Sequence, residues 1–380
     1  MKNRFEIISD KIAGSLVGGA AGDALGYPVE FSSAPYIKKK FGERGITRYE
    51  TEGGKALISD DTQMTLFTAN GILFGETRNL TPGVHEAPHV SGRRSSLDWY
   101  ATQTKSFESG RKKVDGISWL LEVSELYARR APGTTCLSAL NGFDVFNEDF
   151  IANPINDSKG CGGIMRVAPL GLHCSDTDIE ALDFEGASLA AITHGHSLGY
   201  MPAAVLTHIL NRIVYPENEA LSLREIIVEA EETACRIFKG DCHLSELRAV
   251  IDKALALSEN DRPDLENIEA IGAGWVAEET LGISLYCALR YEHDFSAGII
   301  AAVNHGGDSD STGAVTGNIL GAIHGFSGIE EKWTENLELL DVLLEISDDL
   351  ARIHGLGGYS DYDELWENKY VHRKRENGHA

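Results

Sequence analysis

GSLVGGAAGDALG (residues 14–26) and GAVTGNILGAIHG (residues 313–325) are the two stretches that decide the fold of this chain. Glycine recurs at every fourth position in both, at residues 14, 18 and 22 and again at residues 313, 317, 321 and 325. Glycine weakens a helix, so this spacing makes sense where a second backbone comes very close. We therefore predict two central helices that pack on each other and bring the two ends of the chain into one core.

The remainder of the sequence has helical periodicity. Apolar residues recur at intervals of three and four in six segments, which are residues 183–194, 202–215, 222–238, 245–258, 275–291 and 330–354. Long runs of alternating β-branched residues, which are typical of strands, do not occur. The sequence therefore predicts an all-α fold that forms one compact multi-helix domain over residues 1–380.

Two segments interrupt the helical pattern. Residues 76–116 are rich in Gly, Pro, Ser and Thr, and we expect an irregular insertion there with a single helix near Ser95–Thr104. Residues 141–169 lack periodicity as well. Irregular stretches of this length inside a compact domain are usually functional or disordered.

The composition is that of an acidic, cytoplasmic protein. The formal net charge of −24 argues against a nucleic-acid partner, which requires concentrated Lys and Arg. Six cysteines without a CxxC pair indicate reduced thiols rather than a disulfide framework.

The N-terminal region does not have the pattern of a signal peptide, because Glu6 and Asp10 interrupt the stretch that would have to be apolar. Residues 12–29 contain Asp23, so a packed helix explains them better than a membrane span.

Two clusters of acidic residues stand at the start of apolar helical stretches. Asp60 and Asp61 lie between Ser59 and Thr62, and Asp308 and Asp310 lie in a run that continues with Ser311. Oxygen ligands of this kind suit Mg²⁺ or Mn²⁺ rather than zinc. The alternative is helix capping, but capping needs one such residue per helix. We therefore expect a single two-metal centre.

The segment SKGCGGIMR (residues 158–166) contains three glycines in four positions. Backbone N–H groups in such a turn can approach a ligand closely, and a helix beginning near Met165–Leu172 would favour phosphate through its dipole. Glycine-rich turns are common, so this signal is weak without the acidic clusters. Cys161 has no histidine within its motif, and we do not expect it to act as a nucleophile.

His194 and His196 lie between two helical stretches. Their spacing differs from the i, i+4 pair of a helical zinc site. A buried, hydrogen-bonded ring or a helix-terminal histidine explains them best from spacing alone. A functional His194 would stack on, or hydrogen-bond to, a nucleotide.

The order of these motifs resembles the ADP-ribosylglycohydrolases. The resemblance covers residues 14–26, Glu30, residues 59–64, 160–166, Thr193-His194 and residues 306–313, and so spans roughly residues 10 to 330. It implies a compact all-α domain with two Mg²⁺ ions in a central cleft, where Mn²⁺ could substitute. It also implies binding of ADP-ribose and hydrolysis at the anomeric carbon of the distal ribose.

The resemblance assigns roles to individual positions. The metal ligands would be Ser59, Asp60, Asp61, Asp308, Asp310 and Ser311. The catalytic acid and base would lie among Glu30, Asp60, Asp61 and Asp310, with Glu30 ligating metal or orienting the reacting water. Substrate would contact Gly160, Cys161, Gly162, Gly163, Met165 and His194. Many family members have Asn or a small residue at the position of Cys161, which departs from the pattern.

The expected reaction is removal of ADP-ribose from a modified target. The run His305–Gly313 is more similar to members that release arginine than to those that release serine, so an ADP-ribosylated protein is the expected partner, and a small molecule is the alternative. Three other functions fit the same residues: cleavage of the diphosphate, non-catalytic ADP-ribose binding, and protection against an ADP-ribosylating toxin by reversing the modification or blocking the toxin.

Overall fold

The computed structural model describes residues 3–113, 115–141, 149–173, 178–216 and 221–371. Across these ranges the chain is helical, without strands and with only isolated bridges such as the one between Gly160 and Val276. The all-α prediction is confirmed. The helices are α1 (Arg4–Gly26), α2 (Ala34–Phe41), α3 (Asp60–Asn79), α4 (Pro88–Thr104), α5 (Phe107–Lys113), α6 (Thr134–Asn141), α7 (Ala168–His173), α8 (Ile179–Ala191), α9 (Ser197–Val214), α10 (Leu223–Ile237), α11 (Leu244–Leu257), α12 (Asp264–Ile271), α13 (Ala277–Arg290), α14 (Phe295–Val303), α15 (Ser309–His324), α16 (Leu340–Arg352) and α17 (Glu364–Trp366).

Helices α1 and α15 form the centre of the molecule and pack along their glycine faces. A Cβ atom on Gly22 would lie 1.9 Å from the carbonyl oxygen of Gly313, and one on Gly18 would lie 2.4 Å from that of Gly317. Only glycine permits so close a backbone approach. The predicted pairing of the two glycine-faced helices is therefore confirmed.

Polar side chains fix the register of this helix pair. The Ser15 hydroxyl donates to the carbonyl oxygen of Asn318 at 3.0 Å, and the Asn318 side-chain amide donates to the carbonyl oxygen of Ser15 at 2.9 Å. Both residues are buried, so each polar group needs its partner. The crossing brings the start of α15 beside the end of α1, where the acidic clusters lie.

Helix α3 is attached to this pair through Asp23 in α1. The Asp23 carboxylate accepts hydrogen bonds from the backbone N–H groups of Ser59 and Thr62 at 3.0–3.1 Å. These donors belong to the first turn of α3, whose N–H groups have no partners within the helix. The first turns of α3 and α15 are thereby held close together.

The helix expected near Ser95–Thr104 is present as the second half of α4 (Pro88–Thr104), but the segment of residues 76–116 is more regular than predicted, because α4 begins earlier and α5 follows it. Small residues explain the error. A Cβ atom on Gly71 of α3 would lie 2.9 Å from that of Ser95 and 3.0 Å from the Cα atom of Gly92 in α4. Ser and Gly therefore serve here to pack two helices closely rather than to form a loop.

Other boundaries also differ from the sequence prediction. The helical pattern of residues 330–354 gives a 3₁₀ turn at Glu331–Trp333 and an α-helix only from Leu340. Leu339, just before that helix, has a positive φ of 56°, which an α-helix does not allow. Residues 141–169 are irregular as expected between 149 and 163, whereas residues 142–148 lie outside the described residues.

No described helix is both long and apolar enough to cross a membrane. The assignment of residues 1–380 to one domain stays a prediction.

Candidate metal centre and ligand cleft

Three carboxylates from separate parts of the chain meet at the end of the central helix pair. Oxygen atoms of Glu30, Asp308 and Asp310 all lie within 4.8 Å of one another. The three side chains are buried. Glu30 follows the single 3₁₀ turn after α1, while Asp308 caps α15 and Asp310 lies in its first turn. The helix crossing itself therefore assembles this acidic group.

Asp60 and Asp61, at the start of α3, face the same cavity. One oxygen of Asp60 accepts a hydrogen bond from the Gly133 N–H at 3.1 Å. Oδ2 of Asp61 and Oε2 of Glu30 are buried and accept no hydrogen bond within the described structure. Buried carboxylate oxygens without partners are costly, and a bound cation would supply the missing interaction.

The cavity has a volume of about 490 Å³. No Lys or Arg is present among the described residues of its wall, so five carboxylates share it without a basic partner. The wall consists of Glu30, Phe31, Asp60, Asp61, Ala131, Pro132, Gly133, Thr134, Thr135, Cys136, Gly160, Cys161, Gly162, Met165, His194, Trp275, Asp308, Asp310 and Ser311.

Burial raises the pKa of every carboxyl group in this cluster. Desolvation, followed by repulsion from Asp310, raises the pKa of Glu30 to about 10. The same two causes raise the pKa of Asp23, behind the cluster, to about 7. Desolvation also raises the pKa of Asp60, Asp61 and Asp308 well above the usual range. Divalent cations would offset both effects, so the donor set fits a Mg²⁺ or Mn²⁺ centre.

Helix capping accounts for only part of these residues. Ser59 caps α3 by accepting from the Asp61 N–H at 3.2 Å, and Asp308 caps α15 by accepting from the Ser311 N–H at 3.3 Å. Each helix thus has its cap from one residue. Asp60, Asp61 and Asp310 are additional acids in the first turns, and capping does not explain them.

The glycine loop (residues 160–165) forms another part of the cavity wall. A Cβ atom on Gly162 would lie 2.8 Å from Cys136 Sγ and from a ring carbon of His194, and one on Gly163 would lie 2.8 Å from Ala190. These glycines let the loop pack against α6 and the end of α8. The loop carries Gly160, Cys161 and Met165 into the cavity wall, whereas Gly163 lies behind it.

His194 reaches the cavity wall although it is almost fully buried. Its Nδ1 lies 2.8 Å from the Thr193 hydroxyl, to which the buried guanidinium of Arg166 donates at 2.8 Å. Burial, followed by repulsion from Arg166, lowers the pKa of His194 to about 3. The ring is therefore neutral and positioned for hydrogen bonding or stacking. His196 instead caps α9, where its Nδ1 accepts from the Leu198 N–H.

Of the site residues expected from the sequence, Ser59 and Gly163 lie outside the cavity wall, and all the others belong to it. Sequence reasoning missed Asp23, whose signal is a lone acid in a Gly/Ala-rich helix. It also missed Phe31 and Trp275, which are 76% and 41% exposed at the cavity wall. Their rings stack at 5.7 Å with an interplanar angle of 19°.

The sequence profile of the ADP-ribosylglycohydrolase family matches residues 4–358. The chain is 25% identical over 349 residues to the uncharacterized protein YegU of Escherichia coli (strain K12), covering 88% of this chain and 94% of that protein. It is 24% identical over 346 residues to the ADP-ribosyl-[dinitrogen reductase] glycohydrolase of Rhodospirillum rubrum, covering 87% and 92% of the two chains.

A third relative is the ADP-ribosylarginine hydrolase Tri1 of Serratia proteamaculans (strain 568), with 23% identity over 329 residues that cover 86% of this chain and 75% of that protein. Among solved structures, an ADP-ribosylglycohydrolase-related protein complex superimposes with a TM-score of 0.63 at 23% identity. That match covers 91% of this chain and 98% of the other, and it shows that the two share a fold.

Proposed function

Because the chain belongs to the ADP-ribosylglycohydrolase family, we propose that it is a Mg²⁺-dependent hydrolase that removes ADP-ribose from modified arginine side chains. Hydrolysis of ADP-ribose derivatives is the general activity that the family and its named members support. The observation that carries the proposed Mg²⁺ dependence is the cavity with five carboxylates and no Lys or Arg among its described wall residues.

The acidic residues would hold the cations. Asp60 and Asp61 would act from α3, and Asp308, Asp310 and Ser311 would act from α15, with Glu30 between them. When bound, divalent cations in such a centre neutralise the carboxylates, orient ribose hydroxyls and make water more acidic. Ser59 would support this set as the cap of α3, because its hydroxyl accepts from the Asp61 N–H.

Glu30 is the candidate general base. Its Oε2 is buried without a hydrogen-bond partner among the described residues, and it faces the cavity beside Asp308 and Asp310. In the proposed reaction a water oxygen bonds to the anomeric carbon while the bond from that carbon to the guanidine nitrogen breaks. Glu30 takes a proton from the water, and the leaving guanidine receives one. Glu30 then carries a proton that it can return to the guanidine; Asp60, Asp61 or Asp310 is the alternative donor only where it is protonated and does not hold a cation.

The part of the cavity wall formed by the glycine loop and His194 would hold ADP-ribose. The cavity volume of about 490 Å³ lies in the range of small-ligand sites. The glycine loop from Gly160 to Met165 would surround the diphosphate and distal ribose, and neutral His194 would contact the nucleotide. The cations held by the acidic residues would supply the positive charge that a diphosphate needs. An uncharged ring at His194 is therefore sufficient.

Two observations support arginine as the modified residue. The relative from Serratia proteamaculans is an ADP-ribosylarginine hydrolase by name. Phe31, next to Glu30 in the chain, stacks on Trp275 at the cavity wall and remains largely exposed. An aromatic face of this kind attracts a guanidinium group, whereas a serine hydroxyl would gain nothing comparable.

A panel of substrates tests the proposal. Peptides carrying ADP-ribose on arginine or serine, and a nucleobase-linked substrate, are incubated with Mg²⁺, and the products are identified by mass spectrometry. We expect intact ADP-ribose and the fastest release from arginine. Release of AMP would indicate cleavage of the diphosphate instead, and binding without turnover would indicate a non-catalytic relative.

The cellular setting is a separate proposal. Reversing a toxin-made modification would use the same active site, so protection against a toxin predicts the same products. A non-catalytic role fits less well, because every candidate metal position carries an oxygen-bearing side chain. We propose a cytoplasmic location, where reduced cysteines would be stable.

A further inference from the structure

Cys161 places a thiol inside the acidic cavity, and the reaction proposed above does not use its sulfur. Sγ lies 2.8 Å from Oδ2 of Asp308, and Cys161 lines the same cavity as the five carboxylates. The sulfhydryl donates to the carboxylate, so the sulfur faces the group of oxygen ligands rather than the apolar core.

A second atom of this cavity lacks a hydrogen-bond partner among the described residues. Oδ2 of Asp61 is buried and accepts no hydrogen bond from the described residues, and Asp61 is only 3% exposed. Asp61 lines the same cavity as Cys161. The Cys161 sulfur therefore lies beside Asp308, which belongs to the group of three carboxylates whose oxygens are within 4.8 Å of one another.

We propose that Cys161 is a sulfur ligand at this metal centre and gives it affinity for thiophilic divalent cations such as Zn²⁺ and Cd²⁺. This inference rests on the proposed metal-dependent function. Oxygen ligands alone favour Mg²⁺ and Mn²⁺, whereas thiolate selects softer ions. On binding, the sulfur–metal bond replaces the S–H bond, and the thiol proton leaves to solvent.

The geometry needs little adjustment. Zinc holds thiolate sulfur and carboxylate oxygen at distances that place the two ligand atoms roughly 3.6 Å apart in a tetrahedral site. Cys161 Sγ and Asp308 Oδ2 are 2.8 Å apart, so a side-chain rotation can admit the ion. The Cys161 N–H donates a hydrogen bond to the Trp275 carbonyl oxygen at 3.3 Å. This bond fixes the backbone at Cys161, so we expect only the side chain to move when the ion binds.

This ligand set has a consequence for the enzyme. An ion held by Cys161 and Asp308 takes a carboxylate away from the set that would hold Mg²⁺. Zn²⁺ is therefore expected to compete with Mg²⁺ and to inhibit hydrolysis. A chain with only oxygen ligands at these positions would be much less sensitive to Zn²⁺.

The test is a titration of metal-stripped, full-length protein with Cd²⁺, followed by the ultraviolet charge-transfer band of a thiolate–cadmium bond. Cys161→Ser and Cys161→Ala remove the sulfur while differing in size. Cys242→Ser removes an exposed cysteine and is the matched control. Cys136→Ser removes the other thiol of the cavity wall. Circular dichroism checks that each variant is folded.

We expect the band in the wild type, in Cys242→Ser and in Cys136→Ser, and its loss in both Cys161 variants. Cd²⁺ affinity should fall at least about 10-fold in the Cys161 variants, while Mg²⁺ affinity changes by less than about 3-fold. Persistence of the band, or unchanged Cd²⁺ affinity, in folded Cys161→Ser overturns the inference. Mg²⁺-dependent hydrolysis without a band overturns only this inference, whereas a band in a protein that Mg²⁺ never activates overturns the proposed function.

Discussion

Glu30 and Asp310 hold carboxylate oxygens within 4.8 Å of each other in a cavity whose described wall contains no Lys or Arg. Two buried carboxylates at this distance repel unless a proton or a cation lies between them. The pair therefore links the fold to the proposed chemistry. Asp310 lies in the first turn of α15, and Glu30 follows the turn after α1. Because these two helices pack closely, the two carboxylates are held near each other, and a bound cation would relieve their repulsion.

Asp310→Asn should remove at least one bound divalent cation, since a neutral amide is a poor ligand for Mg²⁺. Asp61→Asn should do the same from the α3 side. Calorimetry with Mg²⁺ and elemental analysis measure this. Asp341→Asn, on the exposed side of α16, is the control and should bind as the wild type does. Unchanged Mg²⁺ stoichiometry and affinity in both cavity variants would rule out these ligands.

Metal-free protein should lose stability as pH rises. The pKa of Glu30 is raised to about 10 and that of Asp23 to about 7. Between its ordinary and raised pKa, each group binds more protons in the folded than in the unfolded state, so the free energy of unfolding falls with pH across that window. Cations replace those protons, and the stabilisation by Mg²⁺ should be larger near about pH 8 than near about pH 5.

Thermal unfolding with chelator and with saturating Mg²⁺ at the two pH values measures this effect. The difference in Tm between the two conditions should grow with pH. A difference that is constant or shrinks with pH would show that the buried carboxyl groups are not linked to the metal.

Glu30→Gln should lower kcat by roughly 10²- to 10⁴-fold with little change in the affinity for ADP-ribose, because the amide keeps the shape but cannot take a proton. Steady-state kinetics and calorimetry measure the two effects. His194→Ala should mainly weaken ADP-ribose binding, and serves as the contrasting variant. Near-normal kcat in Glu30→Gln would remove Glu30 from the role of base.

Phe31→Ala should raise KM for a peptide with ADP-ribosylated arginine and leave the affinity for free ADP-ribose nearly unchanged, since the lost contact is with the guanidine. An exposed aromatic–cation contact is worth about 0.5–1 kcal/mol, so the expected change is a few-fold. Phe31→Tyr should retain the wild-type KM. Phe5→Ala, another exposed aromatic, is the control. Equal losses for arginine- and serine-linked substrates would contradict this role.

Gly313→Ala should destabilise the protein by about 1–3 kcal/mol, since a Cβ atom there would lie 2.5 Å from the Gly22 carbonyl oxygen and force backbone movement. Gly355→Ala meets nothing within 4 Å and should change the free energy of unfolding by less than about 0.5 kcal/mol. Denaturant unfolding compares the two. A Gly313→Ala variant as stable as Gly355→Ala would contradict the close packing of α1 and α15.

The sequence was sufficient to predict the central helix pair, because glycine at every fourth residue weakens a helix unless a second backbone packs against it. It was also sufficient to predict that Asp60 and Asp61 lie near Asp308 and Asp310, because pairing of the two glycine-faced helices brings the two ends of the chain together. It predicted only the second half of α4, near Ser95–Thr104, because Ser95 and Gly92 are packing residues although their types are common in loops. No local pattern shows that one side chain will pack on a small residue of a distant helix.

Two contacts in the cavity wall could not be predicted from the sequence, because they join residues that are distant in the chain. Phe31 stacks on Trp275, and Cys161 meets Asp308, although each pair is far apart in the chain. Their residue types carry no periodic signal, and only the folded arrangement makes them neighbours. The role of Asp23 could be predicted in part. A lone acidic residue in a tightly packed helix indicates that it has a buried partner, but not which residue that partner is.

Product analysis with a single ADP-ribosylated arginine peptide tests the central claim most directly. Three reactions are compared: metal-stripped wild-type protein without Mg²⁺, the same protein with Mg²⁺, and the Asp310→Asn variant with Mg²⁺. The products of each are identified by mass spectrometry. We predict unmodified arginine and intact ADP-ribose only for the wild type with Mg²⁺. AMP as the product, or equal release of ADP-ribose in all three reactions, would contradict it.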